Sequence, residues 1–354
     1  MLTEKQILEI REHLEKAQNP VFFFDNDGDG LCAFLLLQRF IGRGKGVVIK
    51  GSPKMEGSYF RKVSELNADY IFVLDKPGVS NEFFEEARQI NIPVVWIDHH
   101  DFSKEEIPEF VDYYNPLVNG DENEPVAELC YKIAKKKEDM WIAVVGCISD
   151  CFIPDFYDEF RKQYPDLALN SERALDIYYG SELGKITKMF NFALKDSTTN
   201  VVNMMKFLMK AKSPYEVLEE SKNNFSMHKK FNEINKKYEK LLEKAEGSVV
   251  DGKVLFFEYR GDLSISSEVA NGLKYKFPDK IIVVAYVKEG KVNISVRGEN
   301  VRGVLLKILE GFEDSTGGGH ENAVGAKIRS VDLERFRAEF MKLVETKDIK
   351  ISSS

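Results

Sequence analysis

The sequence predicts an α/β protein: an N-terminal, doubly wound, mainly parallel sheet domain plus a smaller C-terminal α/β domain, joined by a helical linker. Three observations predict this. Short apolar runs alternate with amphipathic segments from residue 20 to about 150, the pattern over 155–246 is mostly helical, and strand patterns return from about residue 248. The 354 residues, 43% of them apolar, suffice for two cores. The predicted limits are 1–205, 206–247 for the linker, 248–345, and a tail at 346–354.

The N-terminal segment opens with a capping box, in which Thr3 and Gln6 begin an amphipathic helix. This segment does not resemble a signal peptide, and no apolar run is long enough to span a membrane. The four cysteines form neither a disulfide framework nor a C-x-x-C pair. We therefore expect a soluble cytoplasmic protein without a membrane partner.

The first domain is predicted from apolar runs of strand length that alternate with amphipathic helices. The predicted strands are Val21–Phe24, Gly46–Lys50, Tyr70–Leu74 and Val94–Ile97. The predicted helices cover 31–42, 82–90, 125–136 and 140–148. The alternation of strands and helices favours parallel strands, whose carboxyl ends share one edge of the sheet.

An acidic turn follows the first strand, with carboxylates at Asp25, Asp27 and Asp29 and glycines at positions 28 and 30. Three such charges placed together favour a hard divalent cation, because carboxylate oxygens are its preferred ligands. Taken alone, the stretch is equally compatible with a solvated acidic turn. An EF-hand calcium loop is excluded, because its twelfth position is Leu36 rather than glutamate and a strand precedes it.

Further acids and histidines follow later predicted elements. Asp75 follows the third strand, the triplet Asp98-His99-His100 follows the fourth, and Asp150 ends the helix over 140–148. Each of these has an ordinary structural explanation by itself. Together with the acidic turn they supply carboxylates and an imidazole for two divalent ions about 4 Å apart, a site that hydrolyses phosphodiesters. Oxygen-rich ligation with one histidine suits Mn²⁺, with Mg²⁺ as the alternative.

The linker contains a short seam of apolar residues with 4-3-4-3 spacing. Its members are Met227, Phe231, Ile234, Tyr238 and Leu241. We interpret it as a connecting helix that lies against its own domain. A dimer-forming helix is the alternative, so the linker is also a candidate oligomer contact.

The C-terminal domain combines strands and helices with a glycine-rich segment. The predicted strands are Lys253–Tyr259, Lys280–Val287 and Lys291–Val296, and the predicted helices are Ser266–Lys276 and Arg302–Leu309. Glu289-Gly290 predicts a hairpin turn between the last two strands. The segment Gly317–His320 is predicted to be a loop whose backbone N–H groups can approach an anion.

These motifs resemble the DHH phosphoesterase superfamily. The resemblance rests on the D-x-D-G turn, the aspartate after a middle strand, the Asp-His-His triplet and Ser149-Asp150. Gly317–His320, with Ser295–Gly298 upstream, is similar to the DHH-associated domain that accompanies it. The chain looks most like archaeal RecJ-type single-strand exonucleases, with nanoRNases as relatives.

The resemblance implies roles for individual residues. Asp27, Asp29, Asp75, His99 and Asp150 correspond to metal ligands. Asp98 corresponds to a residue that orients histidine, and His100 to the histidine that contacts the scissile phosphate. Substrate binding is implied for Asn115, Arg297, Gly317, Gly318, Gly319 and His320. Relatives often carry a histidine just before the first acidic pair, where this chain has Phe22–Asp25, so Asp25 is a substitute ligand.

The resemblance implies a metal-dependent exonuclease acting on single-stranded DNA or RNA in repair, replication or RNA turnover. It also implies a helicase or another replication protein as a partner. Alternatives are a phosphodiesterase for short oligonucleotides or cyclic dinucleotides, and an inactive replication scaffold. The net charge of −8 excludes a generic nucleic-acid coat, so a local device must hold the substrate.

Overall fold

The computed structural model describes residues 1–50, 54–101, 107–120, 123–248 and 252–346. It divides into two compact units, Met1–Asn232 and Glu233–Ser354. The predicted tail at 346–354 falls outside the described residues except for its first residue. The predicted domain limits remain a prediction.

The first unit is built on a five-stranded, all-parallel sheet, which confirms the predicted fold class. The strands are β1 (Pro20–Asp25), β2 (Lys45–Ile49), β3 (Tyr70–Leu74), β4 (Val94–Ile97) and β5 (Val111–Tyr114), in the spatial order β2-β1-β3-β4-β5. The edge strand β5 was missed by the sequence reasoning. It is short and carries the partly exposed polar Asp112, so it lacks the apolar run of the inner strands.

Helices cover this sheet, so its inner strands are buried except at Asp25, the end of β1, and Tyr70, the start of β3. They are α1 (Glu4–Lys16), α2 (Gly28–Ile41), α3 (Arg61–Glu65), α4 (Asn81–Gln89), α5 (Val126–Ala134) and α6 (Met140–Ser149). The predicted capping box at Thr3 and Gln6 is present. Helix α2 begins three residues before the predicted position because Asp27 Oδ1 accepts the Gly30 N–H at 3.0 Å and caps it.

Aromatic side chains fill the core on the two faces of the sheet. Phe22 and Phe24 both pack on Phe34 of α2, and Phe23 packs edge-on against Phe83 of α4. All three phenylalanines of β1 are fully buried. This strand is therefore fixed from both sides, which holds the acidic turn at its end in place.

Residues 155–246 are mostly helical, as predicted. The helices are α7 (Tyr157–Gln163), α8 (Ala174–Gly180), α9 (Glu182–Ala193), α10 (Thr198–Leu208), α11 (Pro214–Leu218) and α12 (Phe225–Glu246). The limit between the two units lies inside α12. Its apolar seam departs from the prediction at one position, because Leu242 rather than Leu241 is buried. None of the described helices combines the length and apolarity that a bilayer span requires.

The second, smaller unit contains a five-stranded mixed sheet. Its elements are β6 (Val254–Arg260), α13 (Ser266–Lys276), β7 (Ile281–Lys288), β8 (Lys291–Arg297), α14 (Val301–Leu309), β9 (Thr316–His320), β10 (Ala323–Arg329) and α15 (Leu333–Thr346). The strand order is β6-β7-β8-β10-β9, and only β6 and β7 are parallel. Glu289 and Gly290, both at positive φ, form the predicted hairpin turn.

The predicted loop at Gly317–His320 is wrong as secondary structure. These residues form most of the edge strand β9, in which Gly317 pairs with Ala326 and His320 with Ala323. A run of glycines carries no strand pattern, so the extended backbone here depends on pairing with β10 rather than on local preference.

Candidate metal centre

The polar residues that follow the inner strands lie at one edge of the first sheet. The register pairs Phe24 with Leu74 and Leu74 with Ile97, so the ends of β1, β3 and β4 are adjacent. Asp25 ends β1, and Asp75 and Asp98 directly follow β3 and β4. Asp75 has a left-handed backbone, with a φ of 55°, while its N–H donates to the Ile97 carbonyl at 3.0 Å. The chain therefore turns sharply at the centre of the cluster.

Four predicted metal ligands converge around this turn. His99 Nε2 lies 3.3 Å from Asp75 Oδ1 and 3.5 Å from Asp150 Oδ2. The carboxyl groups of Asp27 and Asp75 are within hydrogen-bonding reach of each other. Asp75 and His99 are both 2% exposed. The acidic turn, two later strands and the end of α6 thus contribute to one compact group of donors.

This group fits a divalent cation on evidence from its own contacts. Burial raises the pKa of Asp75 well above its ordinary value, and the neighbouring Asp27 charge raises it further. Within the described parts of the chain, Asp75 Oδ2 has no hydrogen-bond partner although it is buried. Carboxylates in contact with each other require either a proton or a cation between them. A divalent ion satisfies the orphan oxygen and removes the repulsion together.

The two histidines of the triplet have opposite electrostatic surroundings. Burial, together with the charge of His100, lowers the pKa of His99 to about 4, so its imidazole is neutral and able to bind a metal near neutral pH. Burial alone would lower the pKa of His100. The charges of Asp98, Asp150 and Asp25 together outweigh that effect and raise the pKa, and Asp98 Oδ1 lies 2.8 Å from His100 Nδ1.

Asn115 holds this segment from the adjacent strand. Its Nδ2 donates to the His100 carbonyl and to the Tyr113 hydroxyl, both at 2.8 Å, and its Oδ1 accepts the Leu117 N–H at 2.9 Å. These bonds position the His100 backbone. The predicted contact between Asn115 and substrate remains a prediction.

Asp29 has a second role besides the predicted one. It is fully buried, and its Oδ2 and Oδ1 accept the N–H groups of Val126 and Ala127, each at 2.7 Å. Both donors belong to the first turn of α5, where a carboxylate offsets unpaired N–H groups and the helix dipole. Asp29 also offers a ligand atom within 4.8 Å of those of Asp75 and His99. It therefore joins the metal centre to α5.

Lys76 was missed by the sequence reasoning. It is 0% exposed, and its Nζ lies 2.9 Å from Asp25 Oδ1. Burial, together with the Asp27 charge, raises the pKa of Asp25 to about 6 even though Lys76 opposes the shift. The available signal was position: Lys76 directly follows Asp75, at the same edge of the sheet as the acidic turn.

In the second unit, Arg297 is held by neighbours at the end of β8. Its guanidinium donates from Nε to Asn271 and from a terminal nitrogen to Ser267 Oγ at 3.0 Å, both on α13. The other terminal nitrogen donates to the Val296 carbonyl at 2.9 Å. Arg297 is therefore oriented by its own unit, and its predicted substrate contact remains a prediction.

The glycines of β9 differ in the space around them. A Cβ at Gly317 would meet Leu309 at 2.4 Å, and Gly319 combines a φ of 132° with a contact at 2.5 Å to the Ala323 carbonyl. A Cβ at Gly318 would meet nothing within 4 Å. Gly317 and Gly319 therefore have structural reasons to be glycine. The predicted binding of a phosphate by these glycines and His320 is untested by this geometry.

Comparisons with known proteins agree with this organisation. The model of the DHH family, N-terminal domain, matches residues 21–151, and that of the DHHA1 domain matches 251–346. No curated protein sequence matches the chain.

Solved structures show the same fold. RecJ from Thermus thermophilus in complex with Mn²⁺ has a TM-score of 0.69 at 15% identity over 97% of this chain, which spans only 54% of that protein. A second structure of that protein, with Mg²⁺, has a TM-score of 0.60 at 14% identity, covering 97% of this chain and 52% of that one. An exonuclease RecJ bound to manganese has a TM-score of 0.65 at 15% identity, covering 99% of this chain and 98% of that one. CDC45 from Entamoeba histolytica has a TM-score of 0.55 at 10% identity, with coverages of 96% and 98%.

Proposed function

We propose, because the chain belongs to the DHH phosphoesterase superfamily and carries a C-terminal DHHA1 domain, that it is a metal-dependent exonuclease. It would hydrolyse terminal phosphodiester bonds of single-stranded DNA or RNA and release nucleoside monophosphates. The observation that carries the proposal is the convergence of Asp27, Asp75, His99 and Asp150 at one edge of the sheet, where Asp75 and His99 are buried. An inactive scaffold has no need to maintain such a costly set of buried charges.

Asp27, Asp75, His99 and Asp150 would hold the metal. A divalent ion bound there supplies an activated water and stabilises negative charge on the reacting phosphate. Three carboxylates and one imidazole suit Mn²⁺, with Mg²⁺ as the alternative. The neutral His99 needs no deprotonation before it binds the ion, because its pKa is already near 4.

His100 would contact the substrate rather than the metal. Asp98 fixes its Nδ1 side and favours the protonated ring, as the raised pKa indicates. An imidazolium can donate a charge-assisted hydrogen bond to an anionic phosphoryl oxygen. The Asn115 bond to the His100 carbonyl keeps the ring in position for that contact.

The second unit would bind the phosphates of the single-stranded nucleic acid. Arg297 offers a planar guanidinium for a phosphate, and its hydrogen bonds to α13 pre-orient it. Gly318 leaves open space beside the backbone, which allows an anion to approach, and His320 follows on the same strand. With a net charge of −8, the chain needs such a local device to bind a polyanion.

The test is a degradation assay with purified protein, Mn²⁺ and end-labelled single strands of DNA and RNA in a series of lengths. We expect mononucleotides to accumulate from the first time points. His99→Ala should abolish the reaction, because it removes the imidazole ligand. His13→Ala is the matched control, since His13 lies on α1 beside Tyr70, outside the centre.

The same assay separates the alternatives. Turnover confined to the shortest strands, or to a cyclic dinucleotide, would favour a phosphodiesterase for small substrates. Full turnover by His99→Ala would contradict the proposed centre. Binding of single strands without turnover in any metal would favour a replication scaffold, whose further partner would be a helicase or another replication protein.

A further inference from the structure

The positive charge beside Asp25 comes from a side chain of the protein itself, Lys76. Lys76 is fully buried and its Nζ contacts Asp25 Oδ1 at 2.9 Å. A lysine is almost never fully buried unless its ammonium is paired. Its backbone is fixed as well, because the Trp96 indole donates to the Lys76 carbonyl at 3.0 Å and Asp75 turns the chain immediately before it.

The Asp25 carboxylate interacts with charges of both signs: the negative charges of Asp27, Asp75 and Asp150, and the positive charge of Lys76. The three residues before it are phenylalanines buried in the core on both faces of the sheet. Asn26 follows, and its Oδ1 is a buried oxygen without a hydrogen-bond partner in the described ranges. An amide oxygen is neutral, however, so it does not offset the repulsion between an ammonium and a divalent ion at the same carboxylate.

Four other predicted ligands converge at the same edge of the sheet. Asp27 contacts Asp75, and His99 lies between Asp75 and Asp150 at 3.3 and 3.5 Å. These four side chains are enough for one ion, with water or substrate oxygens completing its coordination. The centre would therefore have two sources of positive charge: a metal ion at these four side chains, and the Lys76 ammonium at Asp25.

We propose that this centre binds a single divalent ion, held by Asp27, Asp75, His99 and Asp150, and that the Lys76 ammonium occupies the place of a second ion at Asp25. This replaces the two ions expected from the sequence. The inference rests on the proposed metal centre and concerns how many ions it takes.

The test measures the number of ions directly on the metal-stripped, full-length protein. Titration calorimetry with Mn²⁺ should give one ion per chain at the centre. Electron paramagnetic resonance should show the hyperfine pattern of an isolated Mn²⁺. Two ions per chain with an exchange-coupled signal would overturn the inference and leave the metal centre intact. No binding at all would overturn the metal centre itself.

Two variants test whether Lys76 excludes the second ion. Lys76→Met keeps the length of the buried stem and removes the ammonium, so we expect two ions per chain and a coupled signal. The double variant with Asp25→Asn removes the vacant carboxylate as well and should return to one ion. If the single variant does not fold, the number of ions bound by the wild-type protein decides the inference. A folded Lys76→Met protein that still takes one ion would show that Lys76 has no such role.

Discussion

Asp27 and Asp29 stand two positions apart on one turn but have different surroundings. Asp27 uses one oxygen to cap α2 and contacts Asp75. Asp29 uses both oxygens to hold the first turn of α5. The sequence pattern assigned the same role to both residues, because the hydrogen bonds of Asp29 involve a helix about a hundred residues later.

We predict that Asp29→Asn destabilises the fold by about 1–3 kcal/mol, the cost of a lost charge-assisted bond and an unpaired buried donor. An asparagine keeps one acceptor but turns an NH₂ group toward an N–H group. Urea unfolding of the metal-free protein measures the loss. Asp27→Asn is the control, since asparagine still caps a helix; it should retain stability and lower Mn²⁺ affinity instead. Equal losses of metal affinity with unchanged stability in both variants would contradict the structural role of Asp29.

At the scale of elements, strands place chemical groups by register rather than by their own composition. The ends of β1, β3 and β4 lie side by side because three parallel strands are paired without a slip. The end of β8 similarly sets Arg297 against α13. The predicted apolar runs located every strand of the described chain except the polar β5, the glycine-rich β9 and its partner β10.

The prediction at the scale of elements concerns Arg297, at the end of β8. Arg297→Ala should weaken single-strand binding by about 1–3 kcal/mol, because a charge-assisted bond to phosphate is lost. Binding is measured in Ca²⁺, which we expect to allow binding without cleavage. Mn²⁺ affinity should not change. Arg329→Ala is the matched control, since it removes an arginine paired with Asp332 in the same unit.

The bonds between Arg297 and α13 provide a competing explanation. If Arg297 serves only the fold, Arg297→Ala will lower the melting temperature and leave strand affinity at the wild-type value. Asn271→Ala, which removes the acceptor of its Nε–H, should then produce a similar loss of melting temperature.

At the scale of the whole molecule, the carboxyl groups of the metal centre destabilise the metal-free fold when they are ionised. Burial raises the pKa values of Asp25 and Asp150 from 3.8 to about 6. A carboxyl group with a raised folded-state pKa stabilises the fold fully below its unfolded value, and this contribution is lost as the pH rises through about 6. The metal-free protein should therefore lose stability over that range, and a bound cation should restore it.

We predict that saturating Mn²⁺ raises the melting temperature more at about pH 7.5 than at about pH 5. At the higher pH the carboxylates are ionised and repel one another until the ion binds. At the lower pH protons already neutralise part of the cluster and compete with the metal. Thermal unfolding with and without Mn²⁺ at both pH values measures the difference. An equal gain at both would show that these carboxyl groups are ionised throughout the range.

Local patterns predicted the parallel sheet, the hairpin and most of the centre, because apolar runs and strand-end acids are visible in the chain itself. The position of Lys76 after Asp75 was a signal, but its buried contact could not be predicted, since a lysine normally lies in solvent and its burial depends on Asp25 about fifty residues earlier. The position of Leu242 was missed because a straight helix repeats every 3.6 residues and drifts from a heptad. The remaining errors concern contacts that only the folded chain creates.

The left-handed backbone of Asp75 has an evolutionary consequence. Holding a non-glycine residue at a φ of 55° costs about 1 kcal/mol, and its buried carboxyl adds repulsion to that cost. Glycine would adopt the same turn without strain or charge, so random mutation has an easy route to a more stable protein at this position. A lineage that abandoned phosphate chemistry would have no reason to resist that route. Selection for stability alone would favour the loss of this aspartate. Continued selection for catalysis would retain it.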